Sequence, residues 1–139
     1  MQIQGTHYRT IWTEPGEPGT VYTFDQRLLP FEIRIAALKS CEEAAQAIEQ
    51  MLVRGAPLIG ATAAYALYLA AREAPPGVDA LPFLREKAAR ILRTRPTAVD
   101  LQHAVRRVLD TVEANAWEDS ASAALQCAEA IAHESAAQC

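Results

Sequence analysis

The stretch from Gly55 to Ala71 contains no charged residue, and Arg54 and Arg72 flank it. A helix of this composition is apolar on every side, so it has to be surrounded by other elements. A membrane span needs about 20 apolar residues, and this run is too short to provide one. The run therefore predicts a central, buried helix from Pro57 to about Arg72 in a soluble helical bundle.

Four other segments carry apolar residues at helical spacing, and each is predicted to pack one face against the bundle core. The first begins at a capping box, Ser40 to Glu43, and ends before Gly55. The second segment has Pro82 in its first turn, the third ends near Asn115, and the fourth begins at about Asp119. The side chains predicted to face the core are those of Ala44, Ala45, Ile48, Met51, Leu52, Leu81, Leu84, Ala88, Ile91, Leu92, Leu101, Val105, Val108, Val112, Ala124, Leu125, Ala128 and Ile131.

The first third of the chain predicts a small antiparallel meander with strands at residues 8–12, 20–24 and 31–35. Pro15-Gly16 and Pro18-Gly19 are the turn residues between the first two strands. In the third strand one face is predicted to be buried and the other wet, because Phe31, Ile33 and Ile35 alternate with Glu32 and Arg34. The fold class is therefore α+β and mostly α: a three-stranded meander (1–37) followed by a bundle of about five helices (38–139).

The length and the net charge of the chain limit the number of domains and the kinds of partner that it can bind. With 139 residues the chain is one domain by size, and its formal net charge of −4 repels nucleic acid and anionic membranes. Any anion binding must therefore be local. Cys41, Cys127 and Cys139 have neither disulfide-like nor metal-like spacing, which favours a reducing, cytoplasmic setting. The N-terminus has no signal-peptide pattern, and Cys41 is assigned no role.

The segment Arg54-Gly55-Ala56-Pro57 is a candidate anion site. Proline suits the first helical position, where its missing N–H costs nothing. The amides of a first helical turn and the positive end of the helix dipole favour a phosphate or a carboxylate. Gly55 lets the backbone approach a ligand, and Arg54 can add a forked, charged hydrogen bond. The alternative is a helix start whose arginine is merely solvated.

A second segment has the same features, because Arg95 and Pro96 precede Thr97, the predicted N-cap of the fourth helix. With Thr97 as N-cap, Asp100 is the third helical residue, where a carboxylate suits capping. We expect the two helix starts to face one ligand, with the guanidinium groups of Arg54 and Arg95 within reach of one phosphate.

Together these segments resemble the N-terminal domain of the methylthioribose-1-phosphate isomerase family, whose pattern has Arg-Gly-Ala-Pro-x-Ile-Gly and, further along, Thr-Arg-Pro-Thr-Ala-Val-Asn. The chain has Arg-Gly-Ala-Pro-Leu-Ile-Gly at 54–60 and Thr-Arg-Pro-Thr-Ala-Val-Asp at 94–100. The resemblance extends to Ile11-Trp12 and to the Asp-Gln-x-x-Leu-Pro segment at 25–30. Asp100 departs from the family asparagine, and its charge would oppose a nearby phosphate.

The resemblance implies an aldose–ketose isomerase that converts 5-methylthioribose 1-phosphate to 5-methylthioribulose 1-phosphate in methionine salvage. It implies no metal or organic cofactor, and a homodimer when the protein is complete. By the same resemblance Arg54, Gly55, Ala56 and Arg95 would hold the substrate phosphate and the neighbouring sugar oxygens.

The resemblance also implies a part that this chain lacks. The family's catalytic cysteine and aspartate lie in a Rossmann-like second domain, and no matching segment occurs before Cys139. No catalytic residue is therefore assigned within the chain, which by itself is predicted to be inactive. Two alternatives stay open: a ribose-1,5-bisphosphate isomerase, and a non-catalytic regulatory subunit like those of initiation factor 2B.

The remaining candidates favour structural roles. The basic run from Arg85 to Arg95 is interrupted by Glu86 and has no interleaved aromatic residue, so a solvated helix face explains it better than nucleic-acid binding, Arg95 excepted. Tyr65 and Tyr68 are assigned to the core, with the lining of a sugar pocket as the alternative. Three histidines lie without metal-like spacing and are assigned to the surface or to packing: His7, His103 and His133.

Overall fold

The structure, a computed structural model, describes residues 2–3, 6–7, 10–25, 27, 34–53, 55–75, 80–115 and 119–137. A short hairpin pairs β1 (Gln2–Ile3) with β2 (Thr6–His7). A three-stranded antiparallel sheet follows, with the order β3 (Ile11–Glu14), β4 (Glu17–Phe24), β5 (Ile35–Leu38). Five helices complete the described part of the chain: α1 (Cys41–Glu49), α2 (Ala56–Glu73), α3 (Ala80–Leu92), α4 (Val99–Ala114) and α5 (Ser120–Ala137). The predicted class, α+β and mostly α, is confirmed.

Strand β4 begins earlier than predicted, so Pro18-Gly19 lies within the strand and not in a turn. The register explains this difference: Thr13 pairs with Val21 while Glu14 pairs with Glu17, which leaves an irregular segment between the two pairs. A bulge of this kind tolerates a proline because its amide is not needed by the ladder. The Tyr68 hydroxyl donates to the Pro18 carbonyl oxygen and so ties the irregular segment to α2.

The third strand lies at residues 35–38, later than the predicted 31–35, and residues 31–33 are outside the described part of the chain. Leu38 pairs with Val21 and is buried with it, whereas Ile35 is 51% exposed. The prediction that Ile35 faces the core is wrong, because successive side chains of a strand point to opposite faces and Leu38 takes the inward one. The inner face of the sheet packs on the helices through Ile11, Val21 and Leu38.

Helix α2 is the centre of the bundle, as its uncharged sequence predicts. Every residue from Leu58 to Ala71 is buried, and the other four helices all contact α2. The small side chains of its alanines allow close helix packing, and Thr62 satisfies its buried hydroxyl by donating to the Leu58 carbonyl oxygen at 2.7 Å. None of the helices in the described ranges is long and apolar enough to cross a membrane.

Helix α1 begins as predicted, because the Ser40 hydroxyl accepts the Glu43 amide at 3.0 Å. The Glu43 carboxylate accepts the amide of Lys39 and not that of Ser40, so the second half of the capping box is shifted by one residue. The helix ends at Glu49, and Met51 has a positive φ of 60° and is 47% exposed. The prediction of a buried Met51 is therefore wrong: the chain has left the helix, and Val53 is buried instead.

The other core predictions are mostly confirmed. Buried side chains in α3, α4 and α5 include Leu84, Ala88, Ile91, Leu101, Val105, Val108, Val112, Ala124 and Ala128. Five of the predicted residues are only half-buried at the edge of the core: Leu52, Leu81, Leu92, Leu125 and Ile131. Helix α5 begins as expected, with the Asp119 carboxylate accepting the Ala121 amide at 3.0 Å.

Candidate functional site

The start of α2 is shaped by Gly55, the N-cap residue, with φ 90° and ψ 128°. This conformation favours glycine, because a Cβ atom would be strained at such a φ. Ala56 is the first helical residue and Pro57 the second, one position later than predicted. Among the described residues no side chain caps this helix, and Gly55 and Ala56 are both exposed. Arg54, the fourth residue of the predicted site, lies outside the described residues.

The start of α4 differs from the prediction, because Ala98 and not Thr97 is its N-cap residue. An alanine cannot cap, so this helix also lacks a capping side chain, and Asp100 is its second residue. The preceding turn closes through the Ala98 amide, which donates to the Arg95 carbonyl oxygen at 3.0 Å. The Gln102 side chain donates to the Pro96 carbonyl oxygen at 2.7 Å and anchors the turn to α4.

The two helix starts are neighbours. Gly60, one turn into α2, packs so closely on the first turn of α4 that a Cβ placed on it would lie 3.0 Å from the Asp100 carbonyl oxygen. The second turn of α2 is therefore in direct contact with the first turn of α4. The expectation that they lie on the same side of the bundle agrees with this contact.

The starts of α1 and α5, by contrast, are capped from within the protein. At α1 the Ser40 hydroxyl is joined by the Glu73 carboxylate, which accepts the Cys41 amide at 2.7 Å. At α5 the cap is Asp119. First-turn amides need acceptors, and the helix dipole adds attraction for an anion. The adjacent, uncapped starts of α2 and α4 are therefore a suitable place for an external anion.

Arg90 and Arg95 differ in whether acidic side chains of the protein neutralise them. Arg90 donates to both Glu42 and Glu49 at 2.8–3.0 Å, and these bonds raise its pKa and lower that of Glu42. Within the described ranges, by contrast, Arg95 makes no ion pair, although it is only half-exposed. Arg95 lies in the turn that leads into α4, and a guanidinium group without an ion-pair partner is a suitable donor for a phosphate or a carboxylate.

A cleft of about 240 Å³ adjoins the contact between the two helices. Pro57 and Gly60 line it from α2 and Asp100 and His103 from α4, with α5 adding Ile131 and Glu134. Arg107, also in the lining, donates to Glu134 at 2.7 and 2.8 Å, and this pair lowers the pKa of the Glu134 carboxyl. The cleft therefore offers polar groups beside the helix starts. The sequence patterns had not pointed to the cleft, and they included Gly60 only as the last residue of the motif at 54–60, without a role.

Several other predictions can be compared with the structure. Tyr65 and Tyr68 are 1% and 2% exposed, so their assignment to the core is confirmed. Burial, with Glu73 nearby, raises the pKa of the Cys41 thiol to about 12, which makes it a poor nucleophile. His103 and His133 are exposed. Among the residues that the structure describes, no group of three histidine, cysteine or acidic side chains could hold a metal ion.

The fold and the sequence both have known relatives. The crystal structure of 5-methylthioribose 1-phosphate isomerase from Pyrococcus horikoshii superposes with a TM-score of 0.76 at 32% identity, covering 94% of this chain and 36% of that one. The crystal structure of translation initiation factor eIF-2B, subunit delta, from A. fulgidus superposes with a TM-score of 0.82, also at 32% identity, covering 92% and 37%.

Among curated proteins, the methylthioribose-1-phosphate isomerase of Methylocella silvestris is 44% identical over 140 residues, which is 100% of this chain and 37% of the relative. The Escherichia coli enzyme of that name is 39% identical over 139 residues, again 100% of this chain and 36% of the relative. The chain thus spans a little over a third of the length of these proteins, and the predicted resemblance is confirmed. Residues 52–139, from the approach to α2 to the end of α5, match the Initiation factor 2 subunit family, and the chain belongs to that family.

Proposed function

We propose that this chain is the N-terminal, substrate-binding portion of an isomerase that converts 5-methylthioribose 1-phosphate to 5-methylthioribulose 1-phosphate. The relatives that align with the whole chain carry that enzyme's name. The observation that carries the proposal is the contact between two uncapped helix starts, each with an arginine just before it.

In this proposal the phosphate binds at the two helix starts. Gly55 and Ala56 present exposed backbone beside the positive end of the α2 dipole, and Arg54 and Arg95 add forked, charged hydrogen bonds. The anion thereby takes the place that Ser40 and Asp119 fill at other helices. Asp100 opposes it with one negative charge, because this exposed carboxylate lies at the start of α4.

In the substrate the phosphate is on the anomeric carbon, and it therefore blocks ordinary opening of the sugar ring. We propose that a shielded acid and base act on the ring, and that both come from a second, Rossmann-like domain. The helical domain then contributes positioning and exclusion of water, without a metal or an organic cofactor. No residue of this chain is assigned to proton transfer.

The same proposal covers the rest of the protein. Residues 1–139 form one domain, with the meander at 1–37 and the bundle at 38–139, and the complete protein is a homodimer that acts in methionine salvage. A cytoplasmic location suits the unpaired thiols of Cys41 and Cys127, which are buried in the core. In this proposal the complete protein binds a phosphorylated pentose, and it binds neither nucleic acid nor a membrane.

The main alternative is a regulatory subunit without sugar chemistry, which the superposition on the A. fulgidus initiation factor subunit favours. The arginine motifs at 54–57 and 94–99 favour the enzyme, because a subunit that binds no sugar phosphate has no need of them. A ribose-1,5-bisphosphate isomerase would share the phosphate site, and its separate test is turnover of that substrate.

The proposal is tested by mixing the 139-residue chain with a separately produced second domain from a close relative. We expect no turnover of 5-methylthioribose 1-phosphate by the chain alone and restored turnover on mixing. A chain that folds and docks but restores no activity would favour the regulatory alternative. Turnover by the chain alone that survives Arg54→Ala would mean that the assignment of catalysis to the second domain is wrong.

A further inference from the structure

Gly60 is a poor residue for its local position. It is buried and lies fifth in the eighteen-residue helix α2, between the apolar residues Ile59 and Ala61. Glycine is among the weakest helix formers, and an alanine here would suit the helix better. Local structure therefore does not account for this glycine, and the reason must lie in tertiary packing.

That reason is the backbone of α4. A Cβ on Gly60 would lie 3.0 Å from the carbonyl oxygen of Asp100, 3.4 Å from its carbonyl carbon and 3.6 Å from its Cβ. A backbone atom cannot move aside by rotating a side chain, so the first turn of α4 would have to give by a few tenths of an ångström. Gly16, in the turn between β3 and β4, is different, because a Cβ there would meet nothing within 4 Å.

The segment that carries Arg95 would move with α4. Its turn is tied to the helix by the bond between the Ala98 amide and the Arg95 carbonyl oxygen, and by the bond from Gln102 to Pro96. A displacement of the first turn of α4 is therefore passed on to Arg95, while Gly55 and Ala56 stay with α2.

We propose that Gly60 is a positioning residue, which sets the spacing of α2 and α4 so that Gly55, Ala56 and Arg95 reach one phosphate. This inference rests on the proposed function, since it concerns the same site. The absence of a side chain at Gly60 is what allows the two helix starts to touch. Hydrogen bonds to an anion weaken steeply with distance and angle, so a shift of a few tenths of an ångström matters.

The test is Gly60→Ala in the 139-residue chain, titrated with inorganic phosphate while the backbone amide signals of Gly55, Ala56 and Asp100 are followed by NMR. We expect the dissociation constant to rise about five- to tenfold, with shifted amide signals in the first turn of α4 before phosphate is added. Gly16→Ala is the neutral control. Ala66→Gly, which loosens α2 at a buried position six residues beyond Gly60, controls for destabilisation.

The outcomes separate the two proposals. Absence of phosphate binding at these amides in the unaltered chain would contradict the proposed function. Binding by the unaltered chain and equally tight binding by folded Gly60→Ala would overturn the role of Gly60, as would an equal loss in Ala66→Gly. If Gly60→Ala does not fold, Ala104→Leu provides the same test from the α4 side, because Ala104 lines the cleft together with Gly60.

Discussion

Two regions of this domain use arginines and helix starts in opposite ways. At the corner formed by α1 and α3, Arg90 is bound by Glu42 and Glu49, and the start of α1 is capped by Ser40 and Glu73. At the contact between α2 and α4, no described residue caps either helix start with its side chain, and none forms an ion pair with Arg95. The first region has neutralised its own charges, while the second leaves Arg95 without an ion-pair partner among the described residues, as the proposed anion site requires.

The difference lies in what the helix starts contribute: a capped start contributes to the stability of the fold, and an uncapped start can contribute to anion binding. A helix start with a capping side chain gains about 1 kcal/mol, but its amides are then occupied. An uncapped start forgoes that stabilisation and keeps its donors for an anion. An arginine motif in the sequence therefore does not identify a site until the structure shows whether acidic neighbours already occupy it.

The largest expected effect of this difference is on turnover of the complete protein. Arg95→Ala should lower kcat/KM by about 30- to 1,000-fold, because loss of a charged hydrogen-bonded pair costs about 2–4 kcal/mol. Arg54→Ala should do the same. Arg90→Ala is the matched control, and steady-state kinetics should show little change for it. Equal losses of kcat/KM in Arg90→Ala and Arg95→Ala would show that the arginines of the two regions do not differ in their contribution to turnover.

An intermediate effect is expected when the caps are exchanged. Ser40→Ala should lower the free energy of unfolding by about 1 kcal/mol and leave phosphate binding unchanged. Ala98→Ser should raise it by up to about 1 kcal/mol and weaken phosphate binding, because the new hydroxyl competes for the first amides of α4. Urea unfolding and phosphate titration measure the two effects. Tighter phosphate binding by Ala98→Ser would show that these amides are not donors to the anion.

The smallest effect concerns acid pH. Hydrogen bonds from Arg90, and then from Gln46, lower the pKa of Glu42 below its ordinary value of 4.5. A lowered pKa means that this pair stabilises the fold fully above about pH 4.5 and loses its contribution as the pH falls further. Because Glu42 is 51% exposed, we expect a contribution of only about 0.5–1 kcal/mol.

Urea unfolding at pH 6 and pH 3 should therefore show a smaller loss of stability for Arg90→Met than for the unaltered chain. Arg95→Met should retain the full loss, because Arg95 has no carboxylate partner among the described residues. Parallel pH profiles for all three proteins would show that the corner of α1 and α3 contributes nothing through its charges.

The sequence by itself determined the class of fold and most of the core. An uncharged run such as residues 55–71 predicts a buried helix, and the Ser40 cap acts within a single helical turn. Both signals lie in short segments, so they can be recognised in the sequence without knowledge of how the rest of the chain packs. The arginine motifs likewise identified the family, which the comparisons confirm, although the roles of Arg54 and Arg95 remain a prediction.

The tertiary structure decided the features that depend on distant neighbours. Pro18-Gly19 became part of a strand because a bulge and Tyr68 accommodate it, and the start of α4 moved from Thr97 to Ala98. Turn and capping preferences are worth only about 1 kcal/mol each, so packing overrides them. The neutralisation of Arg90 and the approach of Gly60 to Asp100 join residues some forty positions apart along the chain. Spacing in the sequence carries no signal at such separations, and only the packed helices bring those residues together.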